Sequence, residues 1–369
     1  MINIRICYDY QVFCWQQYGG ISRYFVELAT RIHQYSGTQV RIVAPLYRTK
    51  YLAAKSDAIP VLGVHCAGDF IGAARIMRRL DCELSRVFSA VYRPDIVHET
   101  YYSPNRTSST SAKTVITVFD MIEDVLPEYF STRTKNCEIK MAVFRRADHL
   151  ICISESTRAD LIKLYSVDPH KISVVHLASS LAPPIEPFSG IGEPFFLYVG
   201  YRGGYKNFLG LLGAFANSLL FKTHRLVCFG GGKLTALEQE RMSQLRIPND
   251  RVLFVWGDDA LLGGYYATAE ALIFPSLYEG FGLPLLEAMG CGCPVICSNN
   301  SSIPEVAGDA AIYFDARDIQ EISNAMLRVV QSSDERLRLI SRGKVRVKKF
   351  SWDTCARQTH AVYERLLST

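Results

Sequence analysis

The chain has 369 residues, of which 49% are hydrophobic and 21% charged, with a formal net charge of +5. That is material for two globular domains at ~100–200 residues each. It excludes a membrane-spanning helix, because no run of about 18 apolar residues occurs, and the mild basicity without an aromatic-interleaved basic stripe argues against nucleic acid as a partner.

The opening MINIRICYDY reads directly as a first strand with no signal peptide ahead of it, so the expected compartment is the cytosol. Strand-like apolar runs at residues 4–8, 40–44, 96–98, 115–118, 150–153 and 173–176 alternate with helical patterns, which predicts a parallel sheet covered by helices. Residues 71–92 read as an amphipathic helix whose apolar positions, Met77, Leu80, Leu84, Val87, Phe88 and Val91, are interrupted by Arg75, Arg78, Arg79 and Arg86. Its plain reading is a core-facing stripe with solvated arginines; the other is a face for anionic lipid. A Pro- and Gly-rich stretch then marks a linker at 181–193. Beyond it a second strand series begins, at 195–199, 226–229, 252–256, 271–274, 295–297 and 311–314. The expectation is an α/β protein of two doubly wound Rossmann-like domains, 1–180 and 194–350, facing across a cleft, with a last helix at 351–369. Of eleven cysteines, Cys7, Cys152, Cys228 and Cys297 fall inside apolar elements, where a thiol behaves as a small hydrophobe. Cys291, Cys293 and Cys297 lack the paired spacing and histidine partner of a zinc site, so no metal is expected.

The densest chemistry lies in FPSLYEGFGLPLLEAMGCGCP, residues 274–294. A strand ends at Pro275, Gly280-Phe281-Gly282 form a turn, and Pro284 opens a helix. The free N–H groups of such a helix start favour an anion. Glu287, one turn in, can accept both hydroxyls of a ribose diol, and Glu279 before the turn can face a sugar. Read blandly, this is a surface turn with two solvated glutamates. Other strand ends carry related signals. Gly19 and Gly20 sit at a strand-to-helix turn ahead of Arg23, and serve either as phosphate-facing amides or as a tight connection. Arg202 and Lys206 follow the first strand of the second series and together suit a diphosphate whose charge grows as a glycosidic bond breaks. Gly230 and Gly231 end the next strand, and Trp256-Gly257 the one after. His98, Glu99, Tyr101 and Asp120 end strands of the first series, and Ser154 and Ser156 suit a helix cap.

The string at 274–294 resembles the E-x7-E signature of retaining glycosyltransferases of family 4 with the GT-B fold. The likeness extends through GGISRY, VFDMIEDVLPEYF, ICISESTRADL, LYVGYRGGYKNF and SSIPEVAGDAAIYFD. By that resemblance Glu279 contacts the donor sugar, Glu287 the ribose, and Phe281, Gly282 and Leu283 approach sugar and phosphates through their backbone. Arg202 and Lys206 bind the donor phosphates, Gly19, Gly20, Gly230, Gly231, Trp256 and Gly257 belong to the donor site, and Arg23, His98, Tyr101 and Asp120 stand on the acceptor side. The last helix is expected to cross back onto the first domain. Phe119 stands where many members carry a histidine, which removes that group as a base. The N-terminal half is similar to bacterial mannosyltransferases of O-antigen and surface-polysaccharide synthesis. A metal-independent hexosyl transfer from a nucleotide diphosphate sugar, such as GDP-mannose or a GDP-deoxyhexose, is therefore implied. Its acceptor is a saccharide or lipid-linked oligosaccharide, met on the cytoplasmic face of the inner membrane. A nucleotide-sugar 2-epimerase of the same architecture and a non-catalytic nucleotide-sugar-binding protein are the alternatives.

Overall fold

The computed structural model describes residues 4–15, 17–66, 73–107, 111–130, 133–181, 183 and 191–368. Most of the expected linker at 181–193 lies outside them. The chain forms two compact units. One comprises Met1–Asp124, Phe130–Leu177 and Trp352–Thr369, the other Val125–Tyr129 and Ala178–Ser351.

Among the described residues the first unit carries seven parallel strands: β1 (Ile4–Tyr8), β2 (Thr38–Tyr47), β3 (Val61–His65), β4 (Ile96–Glu99), β5 (Lys113–Val118), β6 (His149–Cys152) and β7 (Ile172–Val174). Their order is β3-β2-β1-β4-β5-β6-β7. The second carries β8 (Phe195–Val199), β9 (Arg225–Phe229), β10 (Val252–Val255), β11 (Ala271–Phe274), β12 (Val295–Ser298) and β13 (Ala311–Phe314), in the order β10-β9-β8-β11-β12-β13. These are two doubly wound sheets, and every strand run read from the sequence falls on a strand. Only β3 escaped that reading: Gly63 interrupts its apolar run, and it is an edge strand with an exposed end. A Cβ on Gly63 would lie 1.7 Å from the Ala44 carbonyl oxygen, so only glycine lets β3 approach β2 there. Cys7, Cys152, Cys228 and Cys297 are buried in their sheets as small apolar groups.

Each sheet has one position where the winding reverses, between β1 and β4 in the first and between β8 and β11 in the second. In the first, the reversal is locked by Asp9, a buried carboxylate just past β1. It accepts from the Thr100 amide (2.9 Å) and hydroxyl (2.5 Å), from Gln11 Nε2 (2.8 Å) and from Thr107 Oγ1 (3.0 Å). Gln11 Nε2 also donates to the Tyr101 carbonyl at 2.8 Å. Burial pushes the Asp9 carboxyl up from its ordinary range while these donors pull it back.

The helix Ala73–Tyr92 keeps one position of the expected core-facing stripe, Phe88, which packs against Cys7, Val43, Val97 and Ala112, and corrects others. Leu80, Leu84, Val87 and Val91 point outward, 42–78% exposed, while Asp81, Ser85 and Ser89 are buried. Asp81 Oδ1 accepts from the Leu46 amide at 2.8 Å, which ties this polar face to β2, and burial pushes the Asp81 carboxyl up to about 7. The side chains of Arg75, Met77, Arg78 and Arg79 lie outside the described residues.

The C-terminal helix, Trp352–Ser368, packs on the first unit, as the resemblance implied. Trp352 meets Tyr24 with ring centroids 6.2 Å apart, and the Tyr363 hydroxyl lies 2.6 Å from His98 Nδ1 and 3.2 Å from the Tyr8 hydroxyl. Tyr363→Phe leaves two buried polar atoms short of a partner, at a cost of about 1–3 kcal/mol. A thermal melt of the full chain should show a lower Tm by several degrees, and an unchanged Tm would remove this contact as the helix's anchor.

Candidate active site

The loops after β8 and β11, adjacent strands on either side of the reversal, bring together the groups of opposite charge. Lys206 ends a short helical turn (Gly204–Lys206) after β8, and its Nζ donates to Glu279 Oε1 at 2.6 Å. Both are largely shielded, with side chains 20% and 9% exposed. An ion pair so placed loses much of its hydration, so each partner holds the other, and an incoming anion or hydroxyl competes for a group already desolvated.

Glu279 is positioned by residues that the sequence reading passed over. Its amide donates to Ser301 Oγ at 2.8 Å, while Ser302 Oγ donates to the Glu279 and Phe281 carbonyls at 2.9 and 3.0 Å. Ser301 takes a left-handed φ of 49° to do this. The helix Leu283–Gly290 then starts at Gly282, whose φ of 108° suits glycine, with Pro284 in its first turn. The Phe281 side chain is buried and meets Phe350 edge-on at 5.8 Å, so only its backbone is available to a ligand. Glu287 accepts from the buried Tyr266 hydroxyl at 3.0 Å, which orients its carboxylate.

Arg202 does not stand beside Lys206 at the loop surface as expected. It is 4% exposed. Its Nε donates to Glu238 Oε1 at 2.8 Å, Nη1 to the Gly230 carbonyl at 2.9 Å, and Nη2 to the Gly232 and Lys233 carbonyls at 2.9 and 3.0 Å. Its guanidinium satisfies the carbonyls of a turn in which Gly230, Gly231 and Gly232 all have φ between 72° and 83°. Three such residues in a row demand glycine, and a Cβ on Gly231 would lie 2.5 Å from Arg202 Nη1. Arg202 is thus the clamp of the glycine turn. Glu238 serves twice, because its other oxygen accepts from the Thr235 amide at 2.7 Å in a capping box. The T-x-x-E spacing was the available signal for that helix start. Trp256, 76% exposed, and Gly257 follow β10, whose last residue accepts from the Gly230 amide at 2.8 Å, so these two loops are neighbours.

In the first unit, Gly19 caps and Gly20 opens the helix Gly20–Ile32, with Arg23 lying over the Tyr51 ring at 5.7 Å. Asp120 Oδ1 accepts from the Ile122 amide at 3.1 Å, a turn-forming bond. His98 is fully buried, its Nε2 is 2.9 Å from Thr117 Oγ1 and its Nδ1 is taken by Tyr363. Burial lowers its pKa to about 3, so it stays neutral and serves packing rather than a substrate. Phe119 joins the same aromatic cluster, edge-on to Tyr24 at 5.4 Å. Glu99 is buried and receives Arg146 Nη1 at 2.7 Å. Tyr101 stays near the surface against Trp15. Ser154 caps the helix Glu155–Tyr165, accepting from the Thr157 amide at 3.0 Å, as its position suggested.

Known proteins share the family and the fold of this chain. Residues 18–178 match the family described as Glycosyltransferase Family 4, and residues 185–346 match Glycosyl transferases group 1. The O-antigen chain mannosyltransferase B of Escherichia coli is 30% identical over 292 residues, covering 74% of this chain and 75% of that protein. The sucrose-phosphate synthase of Thermosynechococcus elongatus superposes with a TM-score of 0.76 at 19% identity, covering 99% of both chains. Anabaena Alr3699/HepE, solved with UDP and glucose, gives 0.74 at 16% identity, covering 99% of this chain and 100% of that one. These two structures speak to the fold, and the sequence matches to the family. The chain belongs to the group 1 glycosyl transferases of family 4, hexosyl-transferring enzymes built on the GT-B fold.

Proposed function

We propose that this protein is a retaining glycosyltransferase that moves a hexosyl group, mannose or a deoxyhexose, from its GDP-sugar to a saccharide. The Lys206–Glu279 pair at the reversal of the second sheet carries the reading. A diphosphate entering there meets Lys206 and the N–H groups at the start of the Leu283–Gly290 helix. As Lys206 turns to the phosphate, Glu279 is released to accept sugar hydroxyls, and Glu287 takes the ribose diol. The glycine turn held by Arg202 lets the nucleotide lie against backbone. Charge developing on the departing phosphate is stabilised by Lys206, and that phosphate receives the acceptor's proton on the same face of the sugar, so the anomeric configuration is kept. The mannosyl assignment is supported by the Escherichia coli relative, whose name also suggests a surface-polysaccharide acceptor.

A lipid-linked acceptor would bring the enzyme to a membrane surface. Among the described residues no helix is long and apolar enough to cross a membrane. The outward stripe of Leu80, Leu84, Val87 and Val91, on a helix whose sequence also carries Arg75, Arg78, Arg79 and the exposed Arg86, supports docking onto anionic lipid.

Calorimetry with GDP-mannose, GDP-fucose, UDP-glucose and UDP-GlcNAc should show binding of one GDP-sugar. Glu287→Ala should weaken it about 10- to 100-fold, whereas Glu279→Gln should chiefly lower kcat, by about 10²-fold. Equal binding and turnover by both variants and the wild type would dismiss the site. Turnover should survive EDTA, since Lys206 supplies the charge otherwise taken from a metal; loss on chelation, restored by a divalent cation, would refute the metal-free reading. Vesicles containing phosphatidylglycerol should co-sediment the protein, and Leu84→Glu with Val87→Glu should abolish this. Retention of the double variant on vesicles would rule out the stripe.

A further inference from the structure

The second unit includes Val125–Tyr129, a stretch that stands between β5 and β6 in sequence. Leu126 is buried, Pro127 fixes φ at the start of a single helical turn, Pro127–Tyr129, and the Tyr129 amide closes that turn on the Leu126 carbonyl at 3.2 Å. The Tyr129 ring meets the loop after β8. There Gly203 and Gly204 are adjacent, and each has a tyrosine ring where a side chain would stand. A Cβ on Gly203 would run into the Tyr201 ring, and one on Gly204 would lie 2.6 Å from Tyr129 Cδ1 and 3.1 Å from its Cγ. Gly204 also has a φ of 36°, in the left-handed region. Glycine is required twice over at 204, by its own backbone and by the ring that covers it.

What the ring covers is the backbone that carries Lys206. In the turn Gly204–Lys206 the Lys206 amide donates to the Gly203 carbonyl and the Asn207 amide to the Gly204 carbonyl, both at 3.0 Å. Two bonds tie this turn to other loops: the Leu277 amide donates to the Tyr205 carbonyl at 2.7 Å, and Asn207 Nδ2 to the Ala316 carbonyl at 2.5 Å. From there the Lys206 side chain passes the Tyr205 and Phe274 rings, with Nζ 5.3 and 5.7 Å from their centroids, and ends on Glu279. Two adjacent glycines make a pliable backbone, since neither has a Cβ to restrict φ and ψ. Such a loop keeps an ammonium in one place only when something outside it restrains it. Tyr201 belongs to the loop itself, whereas Tyr129 comes from a separate segment anchored by its own buried leucine. The Tyr129 side chain is 42% exposed, so it rests on Gly204 without being sealed into a core.

We propose that Tyr129 is a positioning residue for the transfer reaction: its ring presses on Gly204 and holds the Gly204–Lys206 turn in the conformation that sets Lys206 Nζ beside Glu279. The contact is made by Cβ, Cγ and Cδ1, so the hydroxyl takes no part. The consequence for transfer rests on the proposed function; the clamp on the turn does not.

The full chain is compared with Tyr129→Phe, Tyr129→Ala and Gly204→Ala by amide hydrogen exchange and by mannosyl transfer from GDP-mannose to α-linked mannobiose. In Tyr129→Ala the amides of Lys206, Asn207 and Leu277 should exchange about tenfold faster, while those of the strands β8 to β13 keep their wild-type rates. Its kcat should fall about 20-fold and its KM for GDP-mannose rise less than about threefold, because Lys206 acts as charge grows on the leaving phosphate. Tyr129→Phe should match the wild type in exchange and in kcat. Gly204→Ala drives the ring away and should lower kcat about 10²-fold, yet cost only about fivefold when made on Tyr129→Ala, where backbone strain alone remains. Wild-type exchange at the three amides in Tyr129→Ala, or faster exchange there with kcat unchanged, would overturn the proposal. Faster exchange across the whole second unit would overturn it too, as the mark of a merely structural ring. If exchange rises locally as expected while the wild type itself transfers nothing from GDP-mannose, the clamp stands and the transferase reading fails.

Discussion

The constraint from which the rest follows is parallel strand pairing. Parallel neighbours must be joined by crossovers, so both faces of each sheet are covered, and only the carboxyl edge remains for loops that diverge where the winding reverses. In the second unit that place lies between β8 and β11, and the two loops leaving it carry Lys206 and Glu279. In the first it lies between β1 and β4, and the diverging loops are pinned to one another by Asp9 and Thr100. One topological rule thus generates a charged pair in one unit and a rigid polar knot in the other.

Charge is handled differently at the surface and in the interior of these edges. Arg202 and Glu238 form a buried pair, and three further N–H groups of Arg202 donate to backbone carbonyls, so the pair shapes the glycine turn. Lys206 and Glu279 retain some access to solvent, and their side chains pair with one another at 2.6 Å. The first arrangement builds a scaffold; the second stores two groups ready to exchange partners when a diphosphate and a sugar arrive. The serines at 301 and 302 complete the scaffold by holding the backbone on both sides of Glu279.

Apolar runs located the strands because central parallel strands must be apolar on both faces, and β8, β11 and β13 were read to the residue. The glycine turn, the proline after Gly282 and the Glu279–Glu287 spacing were legible because each reflects a local backbone requirement. Where long-range partners decide, the reading failed. Arg202 was expected beside Lys206 at the loop surface, and Glu238, 36 residues away, holds it inward. His98 looked like a strand-end polar group until Tyr363, 265 residues away, covered it. The apolar positions of the helix Ala73–Tyr92 were correctly spaced, yet Asp81 binds the Leu46 amide and, of that stripe, Phe88 meets the sheet while Leu80, Leu84, Val87 and Val91 face outward.

By itself, then, the sequence determined the two sheets, the helix starts, the placement of Lys206 and Glu279 in the loops after strands and that of Glu287 in the helix that follows, because backbone preference and hydrophobic pattern act over a few residues. Only the tertiary structure decided which charged groups face a ligand and which serve the scaffold. That choice depends on desolvation and on partners distant in the chain, such as Lys206 with Glu279 and Lys140 with Asp124, and no local pattern records it.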